Sequence, residues 1–219
     1  MILKLYLPLK TGLNYPWEGI WKPRKFRGFG VVSCVGQFFG ENKLDIYKKW
    51  NMKGHNGLDI PCKDWQPVYA AQDGIVEEVS TEVERGLGVG IITEEKFQIF
   101  QENGGNASIE NYNIKHRYWH FGAINVNKGD RVLIGDLLGW ADNTGYSTGP
   151  HLHFETKAVE KNSQGVWYNV FQDNLFFGAI DPLPYIIEIY ALDFKGRINK
   201  IKELLAQIAE KIADLLRKK

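Results

Sequence analysis

The sequence predicts a mainly β chain: a compact antiparallel β-sheet domain with an extended N-terminal arm and a C-terminal amphipathic α-helix. Three observations predict it. Short β-prone runs separated by Gly-Asp and Asn-Gly signals fill residues 31–184. Residues 1–30 are rich in Pro, Trp and Lys/Arg and carry no sustained period, as an arm packed over the main domain would. Beyond Tyr185, apolar residues return at alternating intervals of four and three, a heptad rhythm.

The domain's strands are expected at 31–35, 68–70, 75–79, 89–93, 114–120, 131–134 and 152–156. Residues 94–113 hold Phe97, Ile99 and Phe100 before a polar Glu-Asn-Gly-Gly-Asn stretch, which suits a β-hairpin extension with a mobile tip. Asp181-Pro182-Leu183-Pro184 is expected to close the domain, because two nearby prolines discourage further regular structure. In 185–219, Phe194, Ile198, Ile201, Leu205, Ile208, Ile212 and Leu215 form the apolar seam, and Lys195 onward carries eight Lys/Arg against three Asp/Glu. Packing on its own domain, self-association into a homo-oligomer and binding to a membrane surface all fit such a helix.

Composition narrows the function. Of 219 residues, 44% are apolar, enough for a sizeable core, and 23 glycines favour turns over long helices. Lys and Arg number 27 against 26 Asp and Glu, so no overall charge argues for nucleic acid. A neutral total leaves wall polymers and membrane surfaces open. No run of 18 apolar residues predicts a transmembrane segment. The apolar start is broken by Lys4, Pro8 and Lys10, unlike a secretory signal. A substrate outside the cytoplasm would then need phage delivery, release by lysis or non-classical export. Cys34 and Cys62 lack Cys-x-x-Cys spacing, which argues against cysteine zinc ligation; they read as two small apolar residues, with a single disulfide as the alternative.

The five histidines fall in three short segments: Gly54-His55-Asn56-Gly57-Leu58-Asp59, His116-Arg117-Tyr118-Trp119-His120 and His151-Leu152-His153. Histidine with a carboxylate companion is a common zinc donor set. Strand alternation puts His151 and His153 on one face, about 6.6 Å apart along the backbone. That separation suits one ligand and one neighbour acting on the same water. Gly54, Gly57 and Pro61 argue against a helix between His55 and Asp59, so His55 is expected on a loop and Asp59 on the strand it enters. His116, Tyr118 and His120 would share a strand face, with His120 at the strand end and His116 structural or at the rim. Three protein ligands and one open position define a hydrolytic zinc centre. One His–Asp pair plus one further His would satisfy it, and two His would be left for proton transfer and oxyanion stabilisation.

At this point the chain resembles the lysostaphin-type (LytM-like) zinc endopeptidases. Gly54-His55-Asn56-Gly57-Leu58-Asp59-Ile60 is similar to the family's first metal motif, and Tyr118-Trp119-His120-Phe121 to its Tyr-x-His-Leu motif with Phe for Leu. Pro67-Val68-Tyr69-Ala70-Ala71, Asp73-Gly74-Ile75-Val76 and Gly129-Asp130-Arg131-Val132 continue the pattern. The most specific stretch is Asn143-Thr144-Gly145-Tyr146-Ser147-Thr148-Gly149-Pro150-His151-Leu152-His153-Phe154-Glu155. The resemblance covers roughly 31–184. It implies one Zn2+ per chain held by His55, Asp59 and His153, with His120 and His151 as the catalytic pair. The same motifs offer Tyr118, Asn143 and Thr144 as expected substrate contacts. The implied reaction is hydrolysis of a peptide bond in the stem or cross-bridge of bacterial peptidoglycan, in a groove over the metal. A catalytically silent wall-binding module, or a phage structural component assembled through the terminal helix, is the alternative. Two features depart from the family pattern: Gln66-Pro67 replaces its Gly-Thr-Pro lead, and the 94–113 extension is longer than its usual connection.

Overall fold

The computed structural model describes residues 1–9, 24–25, 34–43, 45–103, 106–172 and 174–188. The expected helix over 185–219 therefore lies almost wholly outside the described residues. In chain order the strands are β1 Leu5–Tyr6, β2 Arg24–Lys25, β3 Cys34–Val35, β4 Leu58–Pro61, β5 Gln66–Tyr69, β6 Gly74–Glu82 and β7 Gly86–Ile92. They continue with β8 Phe97–Asn103, β9 Asn106–Ile124, β10 Arg131–Val132, β11 Leu137–Ala141, β12 His151–Lys161, β13 Trp167–Asn169, β14 Ala179–Ile180 and β15 Ile186–Glu188. Short 3-10 turns occur at Tyr47–Trp50 and Leu183–Tyr185.

Among the described residues, eleven strands form one antiparallel sheet in which β9 is the spine. One edge of β9 pairs with β7 from Ile92↔Lys115 to Leu87↔Phe121. Its other edge changes partner. Residues 113–119 pair with β12, and 121–124 pair with β11. At its start β9 forms a hairpin with β8, from Phe97↔Tyr112 to Asn103↔Asn106. β12 carries β4 on its far side and then β14 and β13. This is the mainly β, antiparallel architecture read from the sequence. β11, β13 and β14 had no counterpart among the expected strands.

Alternation explains which face is filled. Tyr118, Phe121, Phe154, Val89 and Ile91 are buried in the central core beside Leu58, Ile60 and Leu152. The first nine residues join that core: Leu3, Leu5, Leu7 and Leu9 are essentially inaccessible, while Ile2 before them and Lys4 between them are exposed. β1 pairs in parallel with β15, Leu5 against Ile186, and backbone bonds Tyr6 N–H to Ala71 O (3.1 Å) and Tyr69 N–H to Pro8 O (2.9 Å) fasten the segment to the domain. The Asp-Pro-Leu-Pro stretch does not end the regular structure. Its prolines fit a single 3-10 turn, and β15 follows because Ile186 finds both a strand partner and a core site.

Candidate active site

The site forms where β9 changes partner. The 142–150 loop starts as β11 leaves β9 and ends as β12 joins it. His120 stands at that junction in a left-handed conformation, φ +72°. It is the extra residue of a bulge: Gly88 pairs with Trp119 and Leu87 with Phe121, so nothing on β7 faces His120. The bulge corrects the expectation that Tyr118 and His120 share a face. Trp119 and His120 both line the cavity, whereas Tyr118 is buried in the core with its hydroxyl accepting the Ala71 N–H at 2.9 Å. Tyr118 thus has no surface to offer a substrate. Gly88 makes room for Trp119, because a Cβ there would lie 2.1 Å from the indole ring.

Asp59, His153 and Trp119 form one row across β4, β12 and β9, as directly paired residues. His55 arrives from the loop before β4, whose backbone is held by His55 N–H to Glu41 O (2.9 Å) and Gly40 N–H to His55 O (2.7 Å). His151 and His153 share a face of β12, as alternation requires, and Glu155 is the next residue on that face. The loop lies so close to β12 that a Cβ on Gly57 would sit 2.6 Å from Phe154 O and 3.0 Å from the His153 ring. Only glycine permits that approach.

Three atoms converge. His55 Nε2 lies 3.0 Å from both His153 Nδ1 and Asp59 Oδ1, and His153 Nδ1 lies 2.8 Å from Asp59 Oδ1. All three residues are nearly buried. Imidazole lone pairs and a carboxylate oxygen held this close favour a cation between them. Ligands on a tetrahedral zinc stand roughly 3.3 Å apart, so the spacing fits that ion. Outer hydrogen bonds select the right ring atoms. His55 Nδ1–H donates to Phe38 O (3.2 Å), which leaves Nε2 unprotonated. His153 Nε2–H donates to Glu155 Oε1 (3.3 Å), which makes Nδ1 the ring atom turned towards Asp59 and His55.

The electrostatics agree. Burial alone would raise Asp59, but His55, His151 and His153 hold its carboxyl well below the usual range. Burial likewise opposes a charged His153, yet Asp59 and Glu155 push it up to about 9. Without a cation the pocket thus favours a proton on His153 Nδ1, facing Asp59 Oδ1, and a bound cation would replace that proton.

His151 and His120 stand beside the three. His151 Nε2 is 3.6 Å from Asp59 Oδ1, and its Nδ1–H donates to Gly149 O at 2.8 Å. His120 Nδ1–H donates to Thr144 O at 2.7 Å, and the two rings have centroids 4.6 Å apart. Each therefore carries its proton on Nδ1 and keeps Nε2 as an acceptor. Burial, then the neighbouring His151 and His153, push His120 down to about 3; burial also lowers His151. Thr144 acts through this backbone carbonyl and a side chain that donates to Phe121 O (2.8 Å). Neither Thr144 nor exposed Asn143 lines the cavity wall. His116 is remote from the cluster, fully buried, stacked on Phe154 and bonded to Thr156 Oγ1 at 3.2 Å.

A cavity of about 400 Å³ opens over these residues. Tyr47, Trp50 and Met52, from the segment before the first motif, form one apolar wall with Phe177, and Tyr146 lies on the loop after β11. Sequence reasoning missed this wall, since no period marks 36–52. It also assigned nothing to Glu155, although its i+2 spacing from His153 was a usable signal. No described residue of 94–113 lines the cavity; Tyr112 is about 26 Å along β9 from His120. Cys62 is buried and free of disulfide.

Known proteins share this arrangement of sequence and fold. The chain is 34% identical over 154 residues to the glycyl-glycine endopeptidase ALE-1 of Staphylococcus capitis, covering 69% of this chain and 33% of that protein. It is 39% identical over 135 residues to lysostaphin of Staphylococcus simulans, 60% and 21% respectively. It is 35% identical over 148 residues to the peptidoglycan DD-endopeptidase ShyA of Vibrio cholerae, 67% and 30% respectively. The matched region thus spans a third or less of these relatives' own length. Among solved structures, the catalytic domain of lysostaphin from Staphylococcus simulans superposes with TM-score 0.50 at 27% identity, covering 70% of this chain and 91% of that one. The sequence profile of Peptidase family M23 matches residues 53–166, more than half of the 219 residues and the stretch that carries all five histidines, and the chain therefore belongs to Peptidase family M23.

Proposed function

We propose that this chain is a zinc-dependent endopeptidase that hydrolyses peptide bonds in the stem or cross-bridge of bacterial peptidoglycan. The observation that carries the reading is the convergence of His55 Nε2, Asp59 Oδ1 and His153 Nδ1 beside two further histidines at the base of one cavity. One zinc ion per chain would be held by those three atoms. When bound, zinc supplies Lewis-acid chemistry, acidifying water and polarising a carbonyl. The protein's own groups do the rest. His151 Nε2 and His120 Nε2 are the acceptors available for the proton of the attacking water, and the ring that takes it becomes the Nε2–H donor that returns it to the leaving amine. Gly149 O and Thr144 O hold both rings in the tautomer that this task needs. Tyr47, Trp50 and Trp119 exclude bulk water from one side of the cavity, where polar interactions strengthen.

Support for the substrate comes from the relatives, whose names are those of a glycyl-glycine endopeptidase and a peptidoglycan DD-endopeptidase. A silent wall-binding module or a phage structural component is less well supported, because a full ligand set and both flanking histidines are present. The reading is tested by metal analysis of the purified chain and by mass spectrometry of products from several purified walls. One zinc per chain and release of soluble peptides are expected; a zinc-free, inert protein would sink the proposal.

Self-association through 185–219 rests on the heptad rhythm alone. Light scattering on the full chain and on one cut near Tyr190 tests it, and two monomers would reject it. Among the described residues no helix is long and apolar enough to cross a membrane.

A further inference from the structure

We propose that Glu155 is the positioning residue of this centre, clamping the two ligand-bearing segments together from behind. The inference rests on the zinc reading above and adds a residue to which the motif itself gives no task. Glu155 is 1% exposed, and Oε1 accepts two hydrogen bonds. One comes from His153 Nε2–H on its own strand (3.3 Å), the other from Asn56 Nδ2–H on the His55 loop (2.8 Å). Asn56 directly follows His55 in the chain and is itself buried. A single carboxylate oxygen therefore fixes the orientation and tautomer of one ligand and the position of the loop that brings another.

The other oxygen of the same carboxylate faces two cations. Lys157 Nζ lies 3.0 Å from Oε2 and Arg117 Nη1 lies 3.9 Å away. Both side chains are largely buried. Arg117 is held in turn by Glu78 (3.0 Å) and Glu82 (3.3 Å) on β6 and by the face of Trp119, 4.5 Å from the ring centre. The charges thus alternate from the solvent-facing edge of β6 to the back of His153. Neutral Gln at 155 would keep the shape but leave Lys157 without its carboxylate, while Arg117 keeps Glu78 and Glu82, so the charges at 155 and 157 are removed together.

The experiment uses the full chain. The double variant Glu155→Gln/Lys157→Met removes one charge of each sign, and Asn56→Ala removes only the loop's donor. Zinc affinity is measured by chelator competition, and the visible spectrum of the cobalt-substituted protein reports ligand geometry. Thermal unfolding of the metal-free form checks the fold. The double variant should bind zinc about 10–100-fold more weakly with an altered cobalt spectrum, and Asn56→Ala should show a smaller loss. A folded double variant with wild-type affinity and spectrum overturns the inference. Should the double variant not fold, nitrogen-15 histidine spectra of the zinc-loaded wild type decide. His153 is expected to be protonated at Nε2, and zinc on Nε2 refutes the clamp. A wild type that binds no zinc would instead fail the metal reading itself, a result distinct from either outcome.

Discussion

Asp59 and His153 face one another directly across the β4–β12 pair, and that register brings Oδ1 and Nδ1 to 2.8 Å. Main-chain hydrogen bonds therefore position two of the three proposed zinc ligands. Asp59→Ala and His153→Ala should each abolish zinc binding and activity, with a loss larger than the about 10–100-fold of an outer-partner change. Chelator competition checks this, and zinc retained at wild-type affinity in either variant would remove that residue from the donor set.

His120 and His151 lie beside the three proposed zinc ligands, held by Thr144 O and Gly149 O. His120→Ala or His151→Ala should leave the zinc content unchanged and lower turnover about 10²–10⁴-fold. Full activity in His120→Ala would take that residue out of the mechanism.

Gly57 offers a steric test of the same site. An added methyl meets Phe154 O at 2.6 Å and the His153 ring at 3.0 Å. Gly57→Ala should destabilise the fold by about 1–3 kcal/mol and weaken zinc binding together. Denaturant unfolding and metal titration on one preparation report both, and a variant unaltered in each would contradict the close packing.

Leu3, Leu5, Leu7 and Leu9 are buried in the core, although they precede in sequence the stretch that matches the family. Burying one leucine side chain contributes roughly 1.5–3 kcal/mol, and a domain's net stability is about 5–15 kcal/mol. Deleting residues 1–9 should therefore abolish cooperative unfolding, as circular dichroism during heating would reveal. A truncated protein with wild-type Tm would contradict a structural role for this segment.

His116 gives a pH dependence separate from catalysis. Burial pushes it down to about 3, whereas in the unfolded chain it titrates near about 6.5. Between those values the unfolded state binds more protons, so stability rises with pH. The contribution is complete above about 6.5 and is lost as pH falls towards 3, by up to about 1.4 kcal/mol per unit. His116→Leu should flatten the stability profile in that window relative to wild type. Parallel profiles would show that His116 does not carry the effect.

The sequence by itself determined much of this protein. The grouping of the histidines, the turn-forming glycines around His55 and the i+2 spacing of His151 and His153 are local features. Local geometry is enough to read them, since alternation along a strand needs no knowledge of its partner. The hairpin over 94–113 was legible for the same reason. Only the tertiary structure decided the rest. The bulge at His120 falls where β9 exchanges β12 for β11; Tyr118 stays in the core with His116, and the bulge brings His120 to the cavity beside Trp119. Which strands meet is a non-local outcome, so the two-residue period fails there without warning in the chain. The same holds for the leucines of residues 3–9, whose partners lie as distant as Ile186, and for Glu155, whose role appears only once Asn56 is brought against it from 99 positions away.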